Sequence, residues 1–300
     1  MPAQLKEVRS RIGAVTSTQK ITKAMKLVAA SKLRKAQERI IKMRPYTTKL
    51  NDILGNITAA TEGEVSIAYA NERPVQNVLL VILTSDRGLC GGFNANMAKL
   101  LKLAVKEKYA QQAAAGNVHV MFVGKKGYDA LKRENFKFIS EHINLFGDLT
   151  FDNAIPVVDT VMNGFAKGNY DVVEVFYNRF KNQIVQEPMS EQFLPIEKLA
   201  DESASAANDS KIKPDFIFQP NQAELIEELV PKILKTKFFG YLLNSNASEH
   251  GARMTAMDNA TENAEDILRD LKILYNRARQ AAITTELTEI VSGAAALQGN

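Results

Sequence analysis

The chain has 300 residues (33.2 kDa), of which 45% are hydrophobic and 24% charged, with a formal net charge of +4 and a single cysteine, Cys90. A length of this order makes one or two domains, no run reaches the roughly 18 uncharged apolar residues of a membrane span, and one cysteine excludes an internal disulfide. The start, MPAQLKEVRS, has no apolar run behind a basic segment, so it reads as neither a secretory signal nor a transit peptide, and a soluble chain of a reducing cytoplasm is expected.

The charge is unevenly spread. Residues 1–45 hold 12 Lys/Arg against 2 acids, whereas residues 46–220 hold 18 against 21 and residues 221–300 hold 8 against 11. The N-terminal segment is thus the basic element, a footprint that suits nucleic acid, an anionic membrane surface or an acidic protein loop. From Ala3 to Arg44 there is no proline and one glycine, Gly13, while Leu5, Val8, Ile12, Val15, Thr18, Thr22, Met25, Ala29, Leu33, Ala36, Ile40 and Met43 recur at steps of three and four. That periodicity predicts one sustained helix, about 60 Å long, which needs a partner along its length. Within it Lys20, Lys23 and Lys26 alternate with Ile21, Met25 and Val28, giving a second, sticky row. This row either packs on another part of the chain or meets something acidic outside it.

The middle of the chain has a different texture. Val78 to Leu83 (VLLVIL), Val118 to Val123 (VHVMFV) and Val172 to Phe176 (VVEVF) predict strands, and helical patterns at about 94–110, 125–134 and 153–167 alternate with them. Alternation of this kind implies a mostly parallel, Rossmann-like sheet. The stretch ADESASAAND at 200–209 reads as an exposed loop.

The partner for the first helix lies at the other end. Beyond Pro231 no proline occurs, and Met257, Thr261, Ala264, Leu268, Leu271, Tyr275, Ala278, Ala282 and Thr285 alternate steps of four and three. Such a seam predicts an antiparallel coiled coil with the N-terminal helix. Pro231 is expected to kink or restart the helix near its beginning. The fold class is therefore α/β with a long antiparallel coiled coil: an N-terminal helix over 1–58, an inserted Rossmann-like domain over 75–197, a loop over 198–214 and a C-terminal helix over 215–300. If the helices leave the domain near residues 55 and 215, facing residues have numbers totalling roughly 270, and the C-terminal helix overhangs its partner by about 45 Å. Ile283, Leu287, Ile290, Val291, Ala294, Ala295 and Leu297 lie on that overhang and call for cover from other chains.

Catalytic chemistry is sparse. The turn SDRGLCGGFN, Ser85 to Asn94, follows a strand and precedes a helix, where a phosphate could be cradled, but it lacks the lysine and Ser/Thr of a nucleoside-triphosphate loop and the GxGxxG spacing. A tight turn needing Gly88, Gly91 and Gly92 for backbone reasons is the preferred reading. Asp86 and Arg87 stand where α/β domains often place ligands, and equally suit a salt-bridged turn. His119, His142 and His250 are scattered without metal-ligand spacing, and no nucleophile, base and orienting group come together.

Three segments carry a resemblance. TQKITKAMKLVAASKLRKAQ (Thr18 to Gln37), SDRGLCGGFN, and EHGARMTAMDNATENAEDI with LYNRARQAAITTELTEIVSGAAAL (Glu249 to Ile267, Leu274 to Leu297) resemble, in order, the gamma subunit of bacterial F-type, proton-translocating ATP synthases. The resemblance implies a noncatalytic rotor shaft, one copy per complex, that couples proton flow through a membrane c-ring to ATP synthesis or hydrolysis. It implies as partners the alternating catalytic beta and noncatalytic alpha subunits and the epsilon subunit, with no nucleic acid and no cofactor or metal. It places the chain peripherally on the cytoplasmic face of the inner membrane. Position by position, it implies that Lys20, Lys23 and Met25 meet acidic loops of the catalytic subunits. Arg279 and Gln280, with Thr284 one turn on, would bond to a catch loop. Arg253 and Met257 would pack within the shaft. Gly251 replaces the alanine usual in EHAARM, Thr285 stands where glutamine is frequent, and FQPN at 218–221 lacks the usual acid. Without the motifs, a nucleic-acid clamp, a cytoskeletal tether or an independent α/β enzyme would be the competing readings.

Overall fold

The computed structural model describes residues 2–60, 69–134, 136–196 and 222–298. The loop expected over 198–214 and the FQPN segment lie outside the described residues. In chain order come α1 (Pro2–Ala60), β1 (Val78–Leu83), α2 (Phe93–Glu107), α3 (Ala110–Ala114), β2 (Val118–Val123), α4 (Lys125–Leu131), β3 (Lys137–His142), α5 (Phe151–Ala166), β4 (Val172–Phe180), β5 (Gln186–Leu194) and α6 (Gln222–Gln298). The residues gather into two units, one of 30–252 and one of 1–29 with 253–300.

In the larger unit, five strands lie in the order β3-β2-β1-β4-β5, the first four mutually parallel and β5 antiparallel to β4. Every residue of β1 is buried, as expected for a central parallel strand covered on both faces. On one face Val78, Leu80 and Ile82 pack with Met97, Leu101 and Val105 of α2 and Leu131 of α4. On the other, Leu79, Val81 and Leu83 pack with Val157, Val161 and Phe165 of α5, Leu50 of α1, and Phe238, Tyr241 and Leu242 of α6. The predicted Rossmann-like layer is present, extended by β3 and β5.

Both long helices contain a proline, Pro45 in α1 and Pro231 in α6, and α6 does not restart at Pro231. An internal proline costs about 3 kcal/mol. The burial of Val230, Ile233, Leu234 and Phe238 immediately around and beyond it offsets that cost, at roughly 1.5–3 kcal/mol for each fully buried side chain. A Cβ on Gly240 would meet Met43 at 3.6 Å, so α1 and α6 touch directly in this unit.

In the smaller unit, Val8, Thr22 and Ala29 of α1 and Met257, Ala264 and Leu268 of α6 are buried. Thr22 Oγ1 lies 2.8 Å from Thr261 Oγ1, and each hydroxyl also has a carbonyl of its own helix within reach, Gln19 at 3.0 Å and Met257 at 2.7 Å, so either can be the donor across the seam. A polar pair satisfied only in one alignment fixes register. Lys26 forms an ion pair with Asp258. Facing numbers therefore total 283 and 284, not the roughly 270 expected. The difference has a simple cause: α1 continues to Ala60 and α6 begins at Gln222, each later than the exit points assumed from sequence.

Candidate functional site

The register separates the basic run into two kinds of lysine. Lys26 is neutralised across the seam by Asp258, a partly exposed pair worth about 0–1 kcal/mol. Lys20 and Lys23 are exposed and have no carboxylate partner among the described residues. Between them Ile21 is 59% exposed, and one turn on Leu27 and Val28 are 66% and 57% exposed. Ile21 and Val28 of the second row thus face outward. Met25 is half-buried and adjoins Lys26, which pairs with Asp258. Arg253 is half-buried and Met257 buried, about two turns or less from that level.

Arg279, Gln280 and Thr284 lie on the exposed surface of α6, and the Thr284 carbonyl accepts from Thr288 Oγ1 at 2.8 Å. By the observed register Arg279 is level with the first turn of α1, about 24 Å along the axis from Lys20. The sequence-derived contact residues therefore form two separate patches. Beyond residue 282 no α1 residue remains to face α6, leaving an overhang of about 24 Å, shorter than expected. Its apolar side chains are open, with Leu287 at 57%, Ile290 at 68% and Val291 at 66% exposure.

The glycine-rich turn sits at the C-terminal end of β1, between β2 and β4, where a doubly wound sheet changes direction and commonly binds ligands. Here its polar groups are turned inward. Asn94 Oδ1 accepts from the Ser85 amide at 3.0 Å, Asn94 Nδ2 donates to Ser85 Oγ at 2.8 Å, and Ser85 Oγ donates to the Arg87 carbonyl at 2.7 Å. Asp86 Oδ1 accepts the amides of Lys125 and Asn144 at 3.2 and 3.1 Å, fastening the ends of three strands. Only Gly91 of the three glycines has a positive φ (58°), and the other left-handed position is held by Leu89 (64°). The expectation for Gly88 and Gly92 was thus too broad.

His119 is half-buried, packs edge-on against Tyr170 at 5.4 Å, and is held below its ordinary pKa first by burial and then by Lys137. Burial likewise lowers His142, which lines a shallow cavity with Asn144, Asp148 and Asn153. Among the described residues no three His, Cys, Asp or Glu side chains are placed to hold a metal ion, and no helix is long and apolar enough to cross a membrane.

Two carboxylate clusters, one around the buried Glu174 and one around the half-buried Glu191, escaped the sequence reading. Glu174, inside β4, accepts from Tyr109 Oη at 2.6 Å and from Lys108 Nζ at 3.3 Å. Glu191, on β5, accepts from Tyr177 Oη at 2.5 Å and Tyr241 Oη at 2.6 Å. Burial, then the hydrogen bond and charge of the carboxylate, push both Tyr109 and Tyr177 well above the usual phenol range. A charged residue inside the apolar run VVEVF was a usable signal for the first; the second joins three distant segments.

The family model described as ATP synthase matches residues 4–297. An ATP synthase gamma chain of Cytophaga hutchinsonii is 52% identical over 297 residues, spanning 99% of each chain. The chain belongs to the ATP synthase gamma chain family. It is accordingly a gamma chain, a subunit of an ATP synthase. A gamma chain of Flavobacterium johnsoniae is 47% identical, over 99% of this chain and all of the relative. The fold is shared with the rotor of the Euglena gracilis mitochondrial ATP synthase at 21% identity, with a TM-score of 0.65 over 94% of this chain and 100% of that one. A second Euglena gracilis ATP synthase structure, of OSCP, F1 and the c-ring, contains a chain that matches at a TM-score of 0.67 and 21% identity, over 99% of this chain and 95% of that one.

Proposed function

We propose that this chain is the rotating shaft that couples proton flow through a membrane ring to ATP synthesis or hydrolysis. The helical ends, 1–58 and 215–300, act as a coiled-coil axle, with the α/β domain of 75–197 and the loop of 198–214 inserted between them. One asymmetric axle cannot touch several equivalent catalytic subunits alike, so its angle assigns each a different conformation and nucleotide affinity. Lys20 and Lys23, with Met25 beside them, meet acidic loops of the beta subunits, and the adaptable thioether suits changing partners. Arg279, Gln280 and Thr284 form the catch, where the guanidinium fork makes and breaks charge-assisted hydrogen bonds. Arg253 and Met257 hold the axle together. The alpha and beta subunits surround it, the epsilon subunit and the c-ring bind its foot, and one copy serves each complex at the cytoplasmic face of the inner membrane.

The observation that best supports this reading is the end of α6, an unpaired helix displaying Ile283, Leu287, Ile290 and Val291 to solvent. Such a surface fits an apolar sleeve made by other subunits and has no use in a nucleic-acid clamp. Affinity purification through this chain from detergent-treated membranes tests it. Recovery of alpha, beta and epsilon subunits with ATPase activity is expected; recovery of nucleic acid or of this chain alone contradicts it.

A further inference from the structure

Within the larger unit, α6 is fastened to the sheet along the β4–β5 hairpin. Phe238 meets Phe193 edge-on at 5.7 Å, Tyr241 stacks on Tyr177 with ring centroids 4.4 Å apart, and Ser248 Oγ donates to the Asn178 carbonyl at 3.1 Å. At Gly251 the missing side chain lets Phe180 and Gln186 approach, since a Cβ there would lie 3.3–3.4 Å from both. From Phe238 to Gly251 these contacts cover about 20 Å of helix. At their centre both oxygens of the Glu191 carboxylate are engaged, one by Tyr177 from the sheet and one by Tyr241 from the helix. Tyr177 and Tyr241 are only 4% and 5% exposed, while Glu191 itself is half-buried, so both bonds sit at the margin of the core. Helix α1 meets the same layer mainly through apolar Ile40, Met43 and Leu50, with Arg39 donating to the Leu149 carbonyl at 3.1 Å.

These two attachments differ mechanically. Apolar contact is non-directional, whereas a hydrogen bond weakens steeply as its angle departs from linear. A carboxylate bonded by one tyrosine of the sheet and one of the helix therefore resists rotation of α6 against the sheet in a way that packing alone does not. The geometry points to Glu191 as a positioning residue: with Tyr177 and Tyr241 it forms a clamp that passes torsional load between the α/β layer and the C-terminal helix. The clamp sets the stiffness of the shaft and leaves the chemistry at the catalytic subunits untouched. This inference rests on the rotor reading above.

Tyr241→Phe isolates the effect, because it keeps the ring and its stacking and removes one oxygen. The assembled ATP synthase is immobilised by its headpiece, a bead is attached to the α/β layer, and its angular distribution is recorded with turnover stalled. Tyr241→Phe and Glu191→Ala are expected to widen the angular variance roughly twofold, since one or both of the two bonds across the clamp are lost. ATP hydrolysis stays near the wild-type rate. Glu191→Gln, whose amide can accept from one tyrosine and donate to the other, stays near the wild-type width. A merely structural role would lower thermal stability while leaving the variance unmoved, and an unchanged width in assembled Tyr241→Phe and Glu191→Ala enzymes overturns the clamp. If Tyr241→Phe does not assemble, Tyr177→Phe removes the other bond and the same readout decides. Failure of the wild-type bead to rotate on adding ATP would instead refute the rotor reading.

Discussion

Removing the Tyr109 hydroxyl tests whether the buried Glu174 is held by hydrogen bonding. Tyr109 is 3% exposed, and among the described residues the second side-chain partner of Glu174 is Lys108, whose side chain is half-exposed. Tyr109→Phe leaves a buried carboxylate oxygen short of its best donor, and a lost bond to a charged group costs about 1.5–3 kcal/mol. Its pH dependence is distinctive. The folded phenol titrates far above its ordinary value because of burial and the neighbouring Glu174, so its contribution is fully present below the unfolded pKa of about 10 and declines as pH rises beyond it. At pH 11 the unfolded phenol is mostly ionised, which removes about 1.4 kcal/mol from the wild type and nothing from the variant. Denaturant titrations of both proteins at pH 7 and pH 11 should therefore show a gap of about 2 kcal/mol that narrows to below about 1 kcal/mol. A gap under about 0.5 kcal/mol at pH 7, or one that fails to narrow, refutes the argument.

Further outcomes follow from the two units. Gly251→Ala should stabilise the chain by about 0.5–1 kcal/mol in the same titration, because a mid-helix glycine is replaced and the nearest atom to the new methyl is the flexible end of Gln186; a loss of stability would mean that the hairpin cannot yield. Thr22→Cys with Thr261→Cys should cross-link on mild oxidation, detectable as a mobility shift, since the hydroxyls are 2.8 Å apart and the natural Cys90 is buried. Pairs chosen so that their numbers total 270 should not cross-link. Arg279→Ala with Gln280→Ala should lower coupled ATP turnover about tenfold or more while leaving circular dichroism of the isolated chain nearly unchanged, because both side chains are exposed and loss of a charged anchor costs about 1.5–3 kcal/mol. An equal loss of helix would assign them a structural role.

The parts of the fold read directly from sequence were those with a strong period. VLLVIL and, apart from the half-buried His119, VHVMFV are buried and match β1 and β2 residue for residue, and the three-four repeat around Met257, Thr261, Ala264 and Leu268 marks the inner face of α6. Strands β3 (KFISEH) and β5 (QEPMSEQFL) were missed because they are edge strands. An edge needs no continuous apolar run and tolerates charge, and Pro188 in β5 suppresses a strand reading further. Register was misplaced because it depends on where α1 and α6 end, at Ala60 and Gln222, and the start signal in the sequence, Asn221 with Glu224 three residues on, was passed over in favour of an exit near residue 215. The outward position of Lys20, Lys23, Arg279 and Gln280 was legible from their place opposite the seam. The Tyr177–Glu191–Tyr241 cluster was not, since only folding brings β4, β5 and α6 together.

The central claim is that this chain turns inside its complex. The direct measurement attaches a reporter bead to the α/β layer of the chain in a surface-held ATP synthase headpiece and follows its angle on adding ATP. Unidirectional rotation with equally spaced pauses, slowed when Arg279 and Gln280 are both alanine, is the predicted result. A bead that stays at a fixed angle while ATP is hydrolysed at the normal rate would contradict the account.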